Sequence, residues 1–397
     1  MQWTKKFDES DLYGGRMRVL IITDQRVALV DGKYYTEKVF LNNVKRYRRF
    51  FDSVSVYAKT GEKIYSSSEM ITNVEVYLGG DNKDIYIGKN KKKLEKIIPS
   101  YDLVILRVPS ILAFQAADIC RTKNIPYFAV VVGCVWDSFW NHGIEGKLLA
   151  PYMKKKMKKI VEKANYVSYV SEQFLQRRYP CSCKSLAASD VTLAYISEDI
   201  LLNRMRMIDN RSKNTIRLFT AAGLNVRYKG QQYVIRAIKY LNALGYNVEY
   251  TLVGTGDSSY LESVAANSGI SNQVNILGAV THDCVIELMD KCDIYVQPSL
   301  QEGLPRSVVE AMSRACPCIG TGAGGISELI DKKYQFIKKS PKSIANKIVE
   351  IWNAKTLSEM ATENFQTSKK YTGDILENKR TKYYEYLIND LEKKEKK

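Results

Sequence analysis

The sequence predicts an α/β protein made of two doubly wound, Rossmann-like domains. Three observations carry that prediction. Short apolar runs alternate with helix-like segments along the first half, the pattern weakens and restarts near residue 205, and the runs after the restart end in turns that open helices. Such alternation is the mark of a parallel sheet covered by helices. A chain of 397 residues is long enough for about two to three domains.

The elements follow in order. Residues 1–16 are polar and lack the apolar segment of a secretory signal, so they read as an extension. Strands are expected at 19–23, 53–57, 74–78, 103–108, 127–132, 166–170 and 191–196. From 200 to 214 charge rises, and Asp209-Asn210-Arg211-Ser212 reads as a linker turn. The pattern then restarts with a strand at 216–221 and a helix stripe of Val234, Ala237, Ile238, Leu241 and Leu244, ended by Gly245. Strands at 248–253, 273–277 and 294–297 follow, with helices at 260–267 and 285–289 between them. A lysine- and tyrosine-rich helix at 375–391 closes the chain. The expected domains are 1–204 and 205–372, with 373–397 packing back toward the first. Two such domains in tandem form a cleft faced by the carboxyl ends of both sheets, where ligands bind.

Composition narrows the function classes. Hydrophobic content of 45% supports ordinary packed cores. No apolar stretch approaches the roughly 20 residues of a membrane span. The eight cysteines read as reduced thiols of a cytosolic protein. Cys181/Cys183 and Cys316/Cys318 form Cys-x-Cys pairs, but neither of the two histidines is close in sequence, so no metal site is expected. The net charge of +17 predicts an anionic partner: nucleic acid, an acidic lipid surface or a phosphorylated substrate. Nucleic acid is disfavoured, because the 27 tyrosines are scattered and no recognised binding motif is present. Between 153 and 164, Met153, Met157, Ile160, Val161 and Ala164 share one helical face while Lys154, Lys155, Lys156, Lys158 and Lys159 crowd the rest. Such a helix is either core-packed with a solvated outer face or held near anionic headgroups.

The chemistry concentrates after the strand at 294–297. A Gly303-Leu304-Pro305 turn opens a helix there, with Pro305 expected in its first turn. This sets free backbone N–H groups and a positive dipole end at a sheet's carboxyl edge, a place suited to phosphate. Glu302 and Glu310 flank the turn. Each alone reads as a dipole-favoured or ion-paired carboxylate, with Arg306 and Arg314 spaced to pair with Glu310. Together they fit a ligand carrying both phosphate and sugar hydroxyls. A second pattern, Gly320-x-Gly322-x-x-Gly325, satisfies a dinucleotide fingerprint, so an NAD-dependent oxidoreductase stands beside a nucleic-acid-binding protein as an alternative. The pattern comes late in its domain, where that fingerprint normally opens the first unit.

The run Glu302-Gly303-Leu304-Pro305-Arg306-Ser307-Val308-Val309-Glu310 resembles the Glu-x7-Glu signature of family-4 retaining glycosyltransferases of GT-B fold. Further likenesses fall in order: Gly223 with Arg227-Tyr228-Lys229-Gly230, Leu252-Val253-Gly254-Thr255-Gly256, Asn275 to Val280, and Gly324-Gly325-Ile326-Ser327-Glu328. The likeness is strong over 216–330. The first half is similar more loosely, through Trp136-Asp137-Ser138, Asn141-His142-Gly143 and 169–175, to members that assemble bacterial capsule and exopolysaccharide. The resemblance implies an acceptor-binding first domain and a nucleotide-sugar-binding second one. It implies that Glu302 contacts the donor sugar, that Lys229 steadies the departing diphosphate and that Glu310 binds ribose. Arg227, Gly254, Ala279, Gly303, Leu304, Pro305 and Val309 complete the implied donor site, and Asp137 is the candidate to orient the acceptor. No cofactor is implied beyond the donor, a UDP-sugar rather than a GDP-sugar. The implied acceptor is a lipid-linked saccharide, met at the inner face of the membrane. The chain has no Asp-x-Asp pair, consistent with metal-independent transfer. Two departures stand out: Leu224 replaces the arginine usual after the glycine, and Thr23 to Ala28 lacks the glycine-rich first loop.

Overall fold

The computed structural model describes residues 17–61, 68–141, 143–193 and 196–395. The 1–16 extension, His142 and part of the expected 191–196 strand lie outside them. The chain divides into two compact units, Met1–Val130 with Lys163–Val167, and Val131–Glu162 with Ser168–Lys397.

In the first unit, β1 (Arg18–Val30) runs parallel to β3 (Ser53–Gly61) and β6 (Leu103–Val108). Val19, Leu20, Ile21 and Ile22 are fully buried, as a strand covered on both faces requires. β2 (Lys33–Glu37) folds back antiparallel on β1 through Asp31-Gly32, both at positive φ, and carries β4 (Ser68–Met70) on its other edge. β5 (Glu75–Leu78) pairs with β3, and β7 (Tyr127–Val131) and β8 (Tyr166–Tyr169) extend the sheet beyond β6. The expected first loop at Thr23–Ala28 is therefore strand, not loop. Asp24 there accepts hydrogen bonds from Ser110 Oγ (2.7 Å) and Ile111 N (3.1 Å), at the start of the helix Ile111–Lys123. Burial pushes its carboxyl pKa up against the pull of those bonds.

In the second unit, β9 (Ser185–Ala187) precedes six parallel strands that form a separate sheet. They are β10 (Thr215–Ala221), β11 (Asn247–Val253), β12 (Val274–Ile276), β13 (Ile294–Gln297), β14 (Cys318–Thr321) and β15 (Gln335–Phe336). Their order is β12-β11-β10-β13-β14-β15. The chain builds outward from β10 in one direction and then from β13 in the other. The crevice beyond the carboxyl ends of β10 and β13 is the topological switch point, the favoured ligand site of open parallel sheets.

The expected join at 204/205 falls inside one helix, Asp199–Asp209. Arg204 is buried and donates to the carbonyls of Cys292 (2.6 Å) and Met289 (2.7 Å), at the end of the helix His282–Lys291. Its guanidinium satisfies orphan carbonyls and complements the helix dipole. Arg204→Met is expected to cost about 2–4 kcal/mol, read as a lower urea midpoint at unchanged slope. Among the described residues of the expected 191–196 strand, Leu193 forms a bridge with Thr372. The closing helix Gly373–Glu395 packs on neighbouring backbone, with Tyr383 Oη donating to the Lys184 carbonyl (2.9 Å) and Arg380 donating to that of Ser189.

Candidate active site

The switch point is built from turns bonded to one another. Ala222 N donates to Val253 O (2.9 Å), Leu224 N to Thr255 O (2.8 Å) and Gly254 N to Gly278 O (2.9 Å). A Cβ on Gly254 would lie 2.0 Å from the Ala222 carbonyl, so glycine is required for this approach. Leu224 is a buried core residue, which explains why no cation stands there.

After β10 a single 3₁₀ turn, Arg227–Lys229, is closed by Gly230 at φ 83°. Leu300 N donates to the Tyr228 carbonyl (2.8 Å), binding this turn to the loop after β13. The two loops thereby bring Lys229 and Glu302 together, with Nζ 2.6 Å from Oε1. Gln297 Nε2 donates to the same Glu302 oxygen (3.1 Å), and Gln297 Oε1 accepts from Tyr295 Oη (3.0 Å) and Ser307 Oγ (3.3 Å). The Glu302 side chain is 10% exposed and that of Lys229 23%. A half-desolvated ion pair of this kind is stronger than one in water and holds both groups in fixed positions. Arg227 does not join them. Its guanidinium lies over the Tyr260 ring, 4.3 Å from the centroid.

The helix Arg306–Ser313 begins one residue later than expected, with Pro305 at its N-cap and no side chain capping it. Its first-turn N–H groups therefore have no side-chain acceptor at the N-cap. Leu304 and Gly303 lead into it, half-buried. Val309 lies on the buried stripe of this helix, with its side chain in the core and its N–H donating to the Pro305 carbonyl (3.4 Å). Glu310 stays at the crevice, 3.3 Å from His282 Nε2 and 3.8 Å from Arg306. Arg314 does not pair with it and instead grips Asp290 through two bonds of 2.7 and 2.8 Å. Ala279 is exposed in the turn that precedes His282.

The glycine pattern at 320–325 serves packing. Gly325 N donates to Gly303 O (2.9 Å). A Cβ on Gly324 would lie 1.9 Å from Glu302 O, and one on Gly325 2.0 Å from Gly303 O. The backbone of Glu302 and Gly303 packs directly against these glycines, so close packing accounts for their spacing. Glu328 accepts backbone N–H bonds from Glu172 (2.7 Å), Gln173 (3.0 Å) and Phe174, and so anchors the segment after β8. Asp137 pairs with Arg178 at 3.5 Å. Its helix, Val135–Trp140, reaches the loop after β13 through Asn141 Nδ2, which donates to Gln301 Oε1 (2.6 Å).

Residues 207–367 match the family described as Glycosyl transferases group 1. Protein CapJ of Staphylococcus aureus is 30% identical over 393 residues, covering 94% of this chain and 97% of that protein. The chain belongs to the group 1 glycosyltransferases. The N,N'-diacetylbacillosaminyl-diphospho-undecaprenol alpha-1,3-N-acetylgalactosaminyltransferase of Campylobacter jejuni is 29% identical over 125 residues, 30% of this chain and 33% of that enzyme. The crystal structure of Anabaena HepE in complex with UDP-glucose superposes with a TM-score of 0.62 at 16% identity, over 94% of this chain and 100% of that one. That likeness shows the fold, which is GT-B. In this glycosyltransferase, Gln297, His282 and the anchoring role of Glu328 are the features of the site that motif spacing alone did not supply. A polar residue ending an otherwise apolar strand is the signal that marks Gln297.

Proposed function

We propose that this glycosyltransferase moves a sugar from a nucleoside-diphosphate donor to a hydroxyl of a lipid-linked saccharide in cell-surface polysaccharide synthesis. The reading includes retention at the anomeric carbon and no metal requirement. The observation that carries it is the Lys229–Glu302 pair at the switch point, beside an uncapped helix N-terminus and within reach of the loop that leads to Glu310. Breaking the sugar–phosphate bond places growing negative charge on the diphosphate. A preplaced ammonium and free N–H groups act where that charge develops, the task a divalent cation performs in other sites. In this reading Glu302 holds donor-sugar hydroxyls and the N–H groups following Gly303 hold phosphate. Glu310 accepts from ribose, Lys229 steadies the leaving diphosphate and Asp137 orients the acceptor. The UDP-glucose bound to HepE and the undecaprenyl acceptor named for the Campylobacter enzyme support UDP and a lipid carrier. No described helix is long and apolar enough to cross a membrane. In this reading the acceptor is met at the inner membrane face by a peripheral protein.

A thermal-shift panel of UDP-, GDP-, ADP- and TDP-sugars tests the donor. A UDP-sugar at about 100 times its Kd should stabilise the fold by about 2.7 kcal/mol, undiminished by EDTA. Silence across the whole panel would sink the reading. Glu310→Gln is expected to weaken donor binding about tenfold with little change in kcat, because ribose is held alike before and during transfer. Unchanged donor affinity would remove Glu310 from the ribose site.

A further inference from the structure

The helix Gly143–Glu162 has two unlike faces. Ala150, Met153, Met157 and Ile160 are buried. On the opposite side, positions 144, 148, 152, 155 and 159 fall along one line at helical spacing. Its first half is apolar and open to solvent: Ile144 is 79% exposed, Leu148 77% and Tyr152 62%. Its second half is Lys155 and Lys159, both exposed. Solvent-exposed leucine and isoleucine side by side are costly in water and mark a contact surface. Trp140, 44% exposed, ends the preceding helix and stacks on Trp136 at 5.0 Å, with Lys147 Nζ 5.8 Å from its ring centroid.

We propose that this face docks on an anionic lipid bilayer, with Ile144, Leu148 and Tyr152 entering the acyl boundary and Lys155 and Lys159 resting on the headgroups. An amphipathic helix at an interface needs an apolar wedge for burial and cations for anionic lipid, and both lie here in succession on one exposed line. A tryptophan beside the wedge matches the chemistry of the interfacial zone, apolar in body and polar at the edge. The +17 charge attracts the whole protein to such a surface. Asn141, two residues before the helix, donates to Gln301, so the chain entering the docking element is bonded to the loop after β13. The lipid contact itself stands on these observations; only the delivery of a lipid-linked acceptor to that loop rests on the transferase reading.

Vesicle co-sedimentation of the full chain tests it, using phosphatidylcholine with about 30% phosphatidylglycerol at about 0.15 M salt. The wild type should sediment with these vesicles and not with pure phosphatidylcholine. The triple variant Ile144→Ser, Leu148→Ser, Tyr152→Ser should lose about tenfold or more in partitioning, and Lys155→Glu with Lys159→Glu should lose as much. Leu202→Ser with Ile337→Ser, exposed apolar positions elsewhere, should change nothing. Full retention by the Ser triple variant would show adsorption by net charge alone and overturn the proposal. So would a wild-type dimer that the triple variant converts to monomer, since the face would then belong to a second copy. Nucleotide-sugar thermal shifts of the same variants without vesicles keep the two readings apart. A normal shift with no vesicle binding refutes the docking face only, and vesicle binding without any shift refutes the donor reading only.

Discussion

Lys229→Ala is expected to lower kcat by about 10²- to 10³-fold, the usual loss when one preorganised charge partner of a developing anion is removed. The KM for the nucleotide sugar should rise much less, because in the proposed role the charge that Lys229 meets is largest after the sugar–phosphate bond has begun to break. Without donor, the ammonium rests on Glu302 at 2.6 Å. Its removal leaves that carboxylate with the Gln297 amide, and a stability loss of about 1–3 kcal/mol should accompany the kinetic defect. The protein therefore remains folded at room temperature, and a circular dichroism melt separates the two effects. Turnover measured with membrane-extracted lipid acceptor is the readout. Activity within threefold of wild type would place leaving-group stabilisation elsewhere, with Arg227, released from Tyr260, the next group to test.

Gly324→Ala is expected to disable the donor site through the backbone alone. The residue sits at φ +58°, and its added Cβ would fall 1.9 Å from the Glu302 carbonyl. Backbone strain accounts for about 1–2 kcal/mol of the cost. The clash adds more, since neither partner is a movable side-chain tip, and a total of about 3–5 kcal/mol follows. The chain can relieve it only by pushing the Glu302–Gly303 segment away from the crevice, so the nucleotide-sugar thermal shift should vanish as well. Gly245→Ala is the matched control. Its φ is +86° and nothing lies within 4 Å of the added Cβ, so it should lose only the strain contribution and keep the shift. Equal stability losses for the two variants would show that close packing under Glu302 is not the constraint.

The contrast between these glycines shows what local pattern conveys. Gly320 to Gly325 read as a phosphate-binding fingerprint because spacing is visible in sequence, whereas the chain segment pressed against it is not. Arg314, spaced to reach Glu310, is taken by Asp290 on another helix. The antiparallel β1–β2 hairpin carried a readable signal in Asp31-Gly32, but polar residues in both arms obscured the strands around it.

The sequence by itself determined the parallel α/β architecture, most strand positions and the place of the Glu302–Glu310 segment at the carboxyl edge of a strand. Those features depend on apolar runs, turn residues and fixed spacings, all local along the chain. Only the tertiary structure decided that Lys229 and Glu302, 73 positions apart, share a bond, that Arg227 stacks on Tyr260 instead, and that the apolar start of the 143–162 helix is left bare. Strand order at the switch point brings distant loops to one edge, and packing chooses which side chains are covered. Neither is a property of any single stretch of residues.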